Sequence, residues 1–455
     1  MPEPIQRPPG TRDFYPLDLA RRRYIENAWR KTSIRHGFDE IDGPTFEHTH
    51  LYAIKSGPGI LSEIFQAFSG KDDAQRAQAT AGHAPYALRP EFTPTLARMY
   101  AARAGQLPKP TKWFWQSSCF RAERQQRGRL REFLQWNCDI LADDDHTRAD
   151  VESIACCVDL LATLGLTPAD CSVRFNHRGV LADILRACSV PDEHMDAAFI
   201  LLDRREKLDN QALENQAFEF GLPQGDFPDF HQFLCRPRAR NGATPTTIAQ
   251  ELANLPHGTT ALPSIAHPIT ALEQALQNAG IADWCTLDLN VARGLAYYTG
   301  MVFEVIVDNE RAVAGGGRYD KLIETFAGPP TPAVGFGMGD VVLSLILQDK
   351  GLIPTDQKIS RDLGLRTDAF VLSNGTPEAD ALVPNLLARL RRMGLNARRS
   401  YKATKNIGKL LKDAADADAR YALIIESTSE LTLKDLDNNT QTRGQIDAQL
   451  DTITP

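Results

Sequence analysis

No apolar run in this 455-residue chain approaches the ~18 residues that a membrane-spanning helix needs. The opening MPEPIQRPPG is polar and proline-rich, unlike a secretory leader. Neither export nor membrane insertion is expected. The eight cysteines are scattered, only Cys156 and Cys157 adjoin, and no CxxC pair occurs. That argues against a disulfide framework and against a zinc site, so no metal ligands are assigned and a reducing, cytoplasmic setting is expected. Also missing is any GxxxxGK[ST] phosphate loop, and VGFGMGD, with Gly335, Gly337 and Gly339, lacks the third glycine of the dinucleotide fingerprint. A P-loop ATPase and a nicotinamide enzyme are both disfavoured. A basic excess is absent too: the formal net charge is −7, so any contact with nucleic acid has to be local.

What is present is material for about two to four domains. Strand and helix patterns alternate irregularly, with several strands adjacent and no helix between them, which reads as an α+β fold with a mostly antiparallel sheet. Apolar residues Val151, Ile154, Ala155, Val158 and Leu161 predict a helix over Thr147–Leu164. Residues 190–275 are expected to be an insertion or less regular subdomain within a first domain, 1–350. A polar linker over 351–367 precedes a strand–helix–strand–helix–strand pattern, which predicts a compact α/β domain over 368–455.

Chemistry concentrates in FRAERQQRGRLREFLQW, Phe120–Trp136, where five arginines sit between two strand-like segments. In LREFLQWNCDI, period-two alternation puts Leu134, Trp136, Cys138 and Ile140 on one face and Phe133, Gln135, Asn137 and Asp139 on the other. Three successive polar positions on one strand face are unusual for a core. The whole reads as a long antiparallel hairpin with Arg121 and Arg129 at its bases, planar cations suited to phosphate oxygens; an exposed hairpin tip is the competing reading. LRPEFTPT places Glu91 and Thr93 two apart, on one side if extended, and such a carboxylate suits an ammonium group. DLNVARGLAYYTGMVFE presents Arg293 with Tyr297 and Tyr298, and AGGGRYD lets the backbone approach a ligand closely. Taken singly, each glycine cluster reads more readily as a tight turn packing a helix on a sheet.

Together these segments resemble the histidyl-tRNA synthetase family of class II aminoacyl-tRNA synthetases. FRAERQQRGRLREFLQ is similar to the second class II motif, RGLAYYTGMVFE and AGGGRYD to the two histidine-specific motifs, LRPEFTPT to the amino-acid-binding segment, and PPGTRDFYP to the N-terminal signature. GFDEIDGPTFE, with Pro44, resembles the first motif, which lies in the family's dimer interface, and Tyr421–Asp447 resembles part of its anticodon-binding domain. The resemblance implies a class II catalytic domain, a C-terminal anticodon-binding domain and a homodimeric histidine–tRNA ligase using ATP, Mg²⁺, L-histidine and tRNA(His). It implies Arg121 at the ATP α-phosphate and the substrate carboxylate, with Glu123 and Arg129 orienting ATP. Glu91 would bind the α-amino group beside Thr93. Gln135 and Asp139 would reach the substrate, with Tyr297 alongside and Asp139 and Tyr298 holding the imidazole. Arg293 would be the family's catalytic arginine. No protein nucleophile is needed, because the substrate's own carboxylate attacks phosphorus.

Two positions depart from the family pattern. Ala296 stands where aspartate is usual, and Val341 and Val342 stand where the third motif usually ends in glutamate and arginine. The expectation is an ATP site rebuilt with another cation. Downstream, Arg389–Lys412 carries nine basic residues and no acid. Such runs are commonly solvated helix faces, yet the acid-free length beside tRNA-linked motifs favours RNA. Arg124 and Arg127 near the hairpin tip, and Arg398, Arg399 and Lys402 in this run, are the tRNA-binding candidates. Two other readings stay in play: a synthetase-like regulatory subunit of ATP phosphoribosyltransferase, to which the missing arginine is suited, and a non-catalytic RNA-binding paralogue.

Overall fold

The computed structural model describes residues 4–56, 58–205, 208–234, 267–292, 297–307, 312–402 and 404–453. The chain divides into two compact units, one of Met1–Asp13 with Ile25–Leu352, the other of Phe14–Tyr24 with Ile353–Pro455. The first is built on an eight-stranded sheet whose order is β1 (Asp39–Glu40), β5 (Thr111–Phe120), β6 (Glu132–Leu141), β11 (Ala333–Gly339), β10 (Ala314–Arg318), β9 (Met301–Val307), β7 (Cys171–His177) and β8 (Cys285–Leu287). Only the β1–β5 and β7–β8 edges are parallel. A small antiparallel sheet of β2 (Phe46–His48), β4 (Tyr86–Leu88) and β3 (Gln66–Ala67) adjoins it in sequence.

The alternation of β6 is what orients the unit. Trp136 stacks on Trp29 of the helix Pro16–Arg35 with ring centroids 6.0 Å apart, and its indole N–H donates to Ser33 Oγ at 2.8 Å. That face is apolar and closed. β5 and β6 form the expected hairpin, in register from Thr111↔Leu141 to Phe120↔Glu132, and Arg121 N–H extends it one step by donating to Arg131 O at 2.9 Å. Gly128 turns the tip at φ +74°, the left-handed region where a side chain is strained. The helix His146–Thr163 starts one residue before its expected position because Asp145 caps it, its carboxylate accepting from Arg148 N–H at 3.0 Å.

In the second unit the sheet order is β13 (Ala397–Arg399), β12 (Ala369–Ser373), β14 (Tyr421–Ile425), β15 (Glu430–Asp435), β16 (Thr440–Gln445), parallel over the first three and antiparallel after. The helix Pro377–Arg392 packs on the face bearing Ala369 and Val371, and Ile407–Asp416 on the face bearing Phe370 and Leu372. β12 and β14 are buried on both faces, which explains why their sequences are continuously apolar or nearly so. Where a linker was expected over 351–367, the structure has the helix Asp356–Asp362 with Ile359 buried. The expected irregular segment 190–275 is helical where described, in Met195–Arg204, Asn210–Glu219, Phe227–Leu234 and His267–Asn278; residues 206–207 and 235–266 lie outside the described residues.

Candidate active site

On the polar side of β6 the first unit opens into a cavity of about 710 Å³. Phe133, Gln135, Asn137 and Asp139 all line it, as the alternation requires, and so do Glu91, Thr93, Arg121, Arg129, Tyr297 and Tyr298. The glycines opposite are what make room. Gly335 pairs with Asp139 across the β6–β11 ladder, and a Cβ there would lie 2.0 Å from Asp139 Oδ1. On β10, a Cβ at Gly317 would meet the Tyr298 ring at 2.9 Å. The glycine strings are thus the floor of a pocket in which side chains of neighbouring strands occupy the space that Cβ atoms would fill.

At one end Asp139 is buried, with Oδ1 accepting from the Tyr319 hydroxyl at 2.5 Å and Oδ2 without a partner among the described residues. Burial pushes its carboxyl up to about 7, against the opposing effects of the Tyr319 hydrogen bond and Lys55. An orphaned acceptor of this kind costs about 1–3 kcal/mol, recovered when a ligand N–H reaches it. Tyr297 stacks on Tyr319 at 5.5 Å, and its own hydroxyl is buried without a partner among the described residues. Nearby, Gln135 donates to Asn137 Oδ1 at 2.9 Å.

Further along, Glu91 holds the ammonium of Lys55, which also sits 4.4 Å from the centroid of the Tyr297 ring. Thr93 is not extended beside Glu91 as the sequence suggested. It opens the helix Thr93–Ala101, with Pro94 in the first turn, where the fixed proline φ suits helix initiation. Both residues still reach the cavity. Arg121 Nε donates to Pro90 O at 3.2 Å, and the guanidinium lies 5.0 Å from the Phe133 ring centroid. Arg129 Nη1 is 2.7 Å from Glu123 Oε2, an ion pair without the alignment of a hydrogen bond. Val341 and Val342 line the same end of the cavity, so the third-motif positions present an apolar wall there. Asp340 beside them receives Arg12 Nη2 at 2.7 Å and Leu134 N–H at 2.8 Å, tying the N-terminal segment and β6 to the third motif. Arg293 and Ala296 lie outside the described residues.

A profile of histidyl-tRNA synthetases matches residues 10–339 of the chain, a span holding every pocket residue named above but Val341 and Val342. The chain belongs to the histidyl-tRNA synthetase family. A histidine–tRNA ligase of Opitutus terrae is 36% identical over 98% of each chain. Among solved structures, a histidyl-tRNA synthetase from Nostoc sp. superposes with a TM-score of 0.73 at 21% identity over 99% of both chains. A protein from Bacillus halodurans described as an ATP phosphoribosyltransferase regulatory subunit/histidyl-tRNA synthetase superposes at 0.69 with 19% identity, covering 93% of this chain and 99% of its own. At such identities these superpositions show the family's class II fold, an α+β catalytic domain with a C-terminal α/β domain, and no more.

Two pocket residues escaped the sequence reading. Lys55 comes from the helix Thr49–Ser56, and nothing local to HLYAIKS tells of a carboxylate 36 positions away. Tyr319 lay in the quoted AGGGRYD, but its reach to Asp139 crosses 180 positions of sequence. Of the basic residues proposed for tRNA, Arg127 is paired with Asp349 at 3.0 Å and Lys402 with Asp413. Arg124 and Arg398 are exposed, and the Arg399 guanidinium lies 5.4 Å from the ring centroid of Tyr401, a side chain 88% exposed. The acid-free stretch is therefore partly neutralised by acids from outside it, since Asp447 also takes Arg389 at 2.5 Å.

Proposed function

We propose that the cavity activates L-histidine with ATP, forming histidyl-adenylate and pyrophosphate, and then passes the histidyl group to the 3′ end of tRNA(His). The observation that carries this reading is one pocket lined by a buried Asp139–Tyr319 pair, by Glu91 and by the hairpin cations Arg121 and Arg129. Imidazole N–H suits the free oxygen of Asp139, with Tyr298 as its neighbour, and the α-ammonium suits Glu91. A site that hydrogen-bonds both ring and head group rejects apolar isosteres strongly, because they leave buried polar groups unpaired.

Arg121 then serves the carboxylate and the α-phosphate. The carboxylate oxygen forms its bond to phosphorus as the bond to the pyrophosphate oxygen breaks, and a fixed guanidinium stabilises the charge spread over the equatorial oxygens. Arg129, held by Glu123, orients the rest of the triphosphate. Among the described residues no three His, Cys, Asp or Glu gather into a metal-binding group. Mg²⁺ is accordingly assigned to the nucleotide as part of the substrate, held mainly by phosphate oxygens. With Val342 in place of an arginine, the nucleotide's outer phosphates depend more on Arg129 than in the usual pattern, and Arg293 remains assigned by resemblance alone.

We assign the second unit to the anticodon, through Arg398, Arg399 and the exposed ring of Tyr401, a set suited to phosphates and an unstacked base; Arg124 is the remaining acceptor-end candidate. A homodimer is proposed across the first-motif segment, where Phe46 is half exposed. No helix among the described residues is long and apolar enough to cross a membrane, and a cytoplasmic setting is part of the proposal. A regulatory role without ligation is not favoured, since the full-length relatives are histidine–tRNA ligases. The test is histidine-dependent exchange of label between pyrophosphate and ATP, followed by charging of tRNA.

A further inference from the structure

Glu91, the carboxylate assigned to the substrate's ammonium, already holds one. Lys55 Nζ contacts Glu91 Oε2, and the two side chains are only 11% and 20% exposed, so this pair is formed inside the cavity rather than on the surface. The Lys55 ammonium also lies over the face of Tyr297, 4.4 Å from the ring centroid, so it is held between a carboxylate and an aromatic face. The carboxylate subsite adjoins. Arg121 is anchored by Nε to the carbonyl of Pro90, the residue immediately before Glu91, so the cation meant for the substrate carboxylate and the anion meant for its ammonium stand side by side.

From this geometry we propose that the Lys55–Glu91 ion pair is exchanged for the zwitterionic head of the amino acid: the substrate ammonium takes Glu91, and the released Lys55 ammonium takes the substrate carboxylate together with Arg121. The inference rests on the reading that this pocket binds histidine through Glu91. Its physical content is charge conservation. A ligand that brings an ammonium alone leaves two cations competing for one carboxylate in a poorly solvated cavity, whereas a zwitterion supplies a partner for each member of the pair it separates. Lys55 thereby becomes a binding residue that selects amino acids over amines carrying the same side chain. The exchange leaves the net charge of the cavity unchanged, since one ion pair is opened and two are made.

The probe is a pair of ligands, histidine and histamine, which share imidazole and ammonium and differ by the carboxylate. Each is titrated calorimetrically into the full-length wild type, Lys55→Met and Lys55→Arg, without ATP. Methionine keeps an unbranched side chain of similar length and removes the charge. In Lys55→Met, histamine is expected to bind more tightly and histidine more weakly, so that the preference for histidine falls by roughly tenfold or more. Lys55→Arg keeps the charge and should hold the preference within about threefold of wild type. An unchanged preference in Lys55→Met, or a parallel shift of both ligands as a purely structural lysine would give, overturns the exchange. Should Lys55→Met fail to fold, a collapsed preference in Lys55→Arg overturns it equally. Wild type that binds no histidine at all overturns the histidine reading with it, whereas wild type that binds histidine with a Lys55-independent preference overturns only the exchange.

Discussion

Asp139 shows how far one residue can be understood before any ligand is present. Its position on the polar face of β6 follows from period two alone, and the sequence reading had it facing the substrate. What the sequence does not contain is its environment: Tyr319 and Lys55 arrive from 180 and 84 positions away, and only the fold brings them together. Burial holds the folded-state carboxyl protonated up to about 7, from an ordinary value of 3.8. The folded chain therefore binds more protons than the unfolded chain between these values, and stability attributable to this group falls as pH rises through that window. Asp139→Asn removes that dependence. Thermal unfolding of wild type and variant at pH 5 and pH 8 should show the variant gaining on wild type at the higher pH, by on the order of 2 kcal/mol. A difference that does not change with pH would mean that Asp139 is ionised throughout.

At the scale of elements, the hairpin of β5 and β6 was legible, and for physical reasons. Alternation is a local property, and a buried apolar face next to a polar one can hardly arise by chance over eight residues. The glycines were less legible. Each string reads more readily as a tight turn, and only the cross-strand register reveals that Gly335 is opposite Asp139. Gly335→Ala places a methyl 2.0 Å from Asp139 Oδ1 and 2.8 Å from the Cys138 carbonyl, with rigid backbone on one side. It should cost about 1–3 kcal/mol of stability through overpacking and weaken histidine binding roughly tenfold or more by turning the carboxylate. Gly337→Ala meets instead the amide end of Gln135 at 2.6 Å, a flexible group that can swing away, so its stability loss should be smaller. Chemical denaturation and histidine titration of both variants check the ranking; equal losses would contradict the role given to Gly335. The misjudged element was LRPEFTPT, where Glu91 and Thr93 were placed on one side of an extended run and Thr93 instead opens a helix with Pro94 in its first turn.

The chain folds as two compact units, and the second was legible because Ala369–Ser373 and Tyr421–Ile425 are short apolar strands separated by helical periods. The sequence reading missed that Phe14–Tyr24 belongs to that unit, since an association across more than 300 residues leaves no local trace. Within the charge run Lys402 is held by Asp413 and Arg389 by Asp447, so the proposal for RNA rests on Arg398 and Arg399 beside Tyr401. Reversing both, Arg398→Glu with Arg399→Glu, should raise the KM for tRNA in charging by roughly tenfold or more and reduce its salt dependence, with adenylate formation unchanged. Equal loss of both activities would remove the division of labour.

The central claim is that the cavity of the first unit activates histidine with ATP although valines stand in the third motif. Histidine-dependent exchange of labelled pyrophosphate into ATP by the full-length protein measures that step alone. The account predicts exchange that requires histidine, is supported by no other amino acid to a comparable degree, and is abolished by Arg121→Ala in folded protein. Folded wild-type protein that binds histidine yet exchanges no label would contradict it.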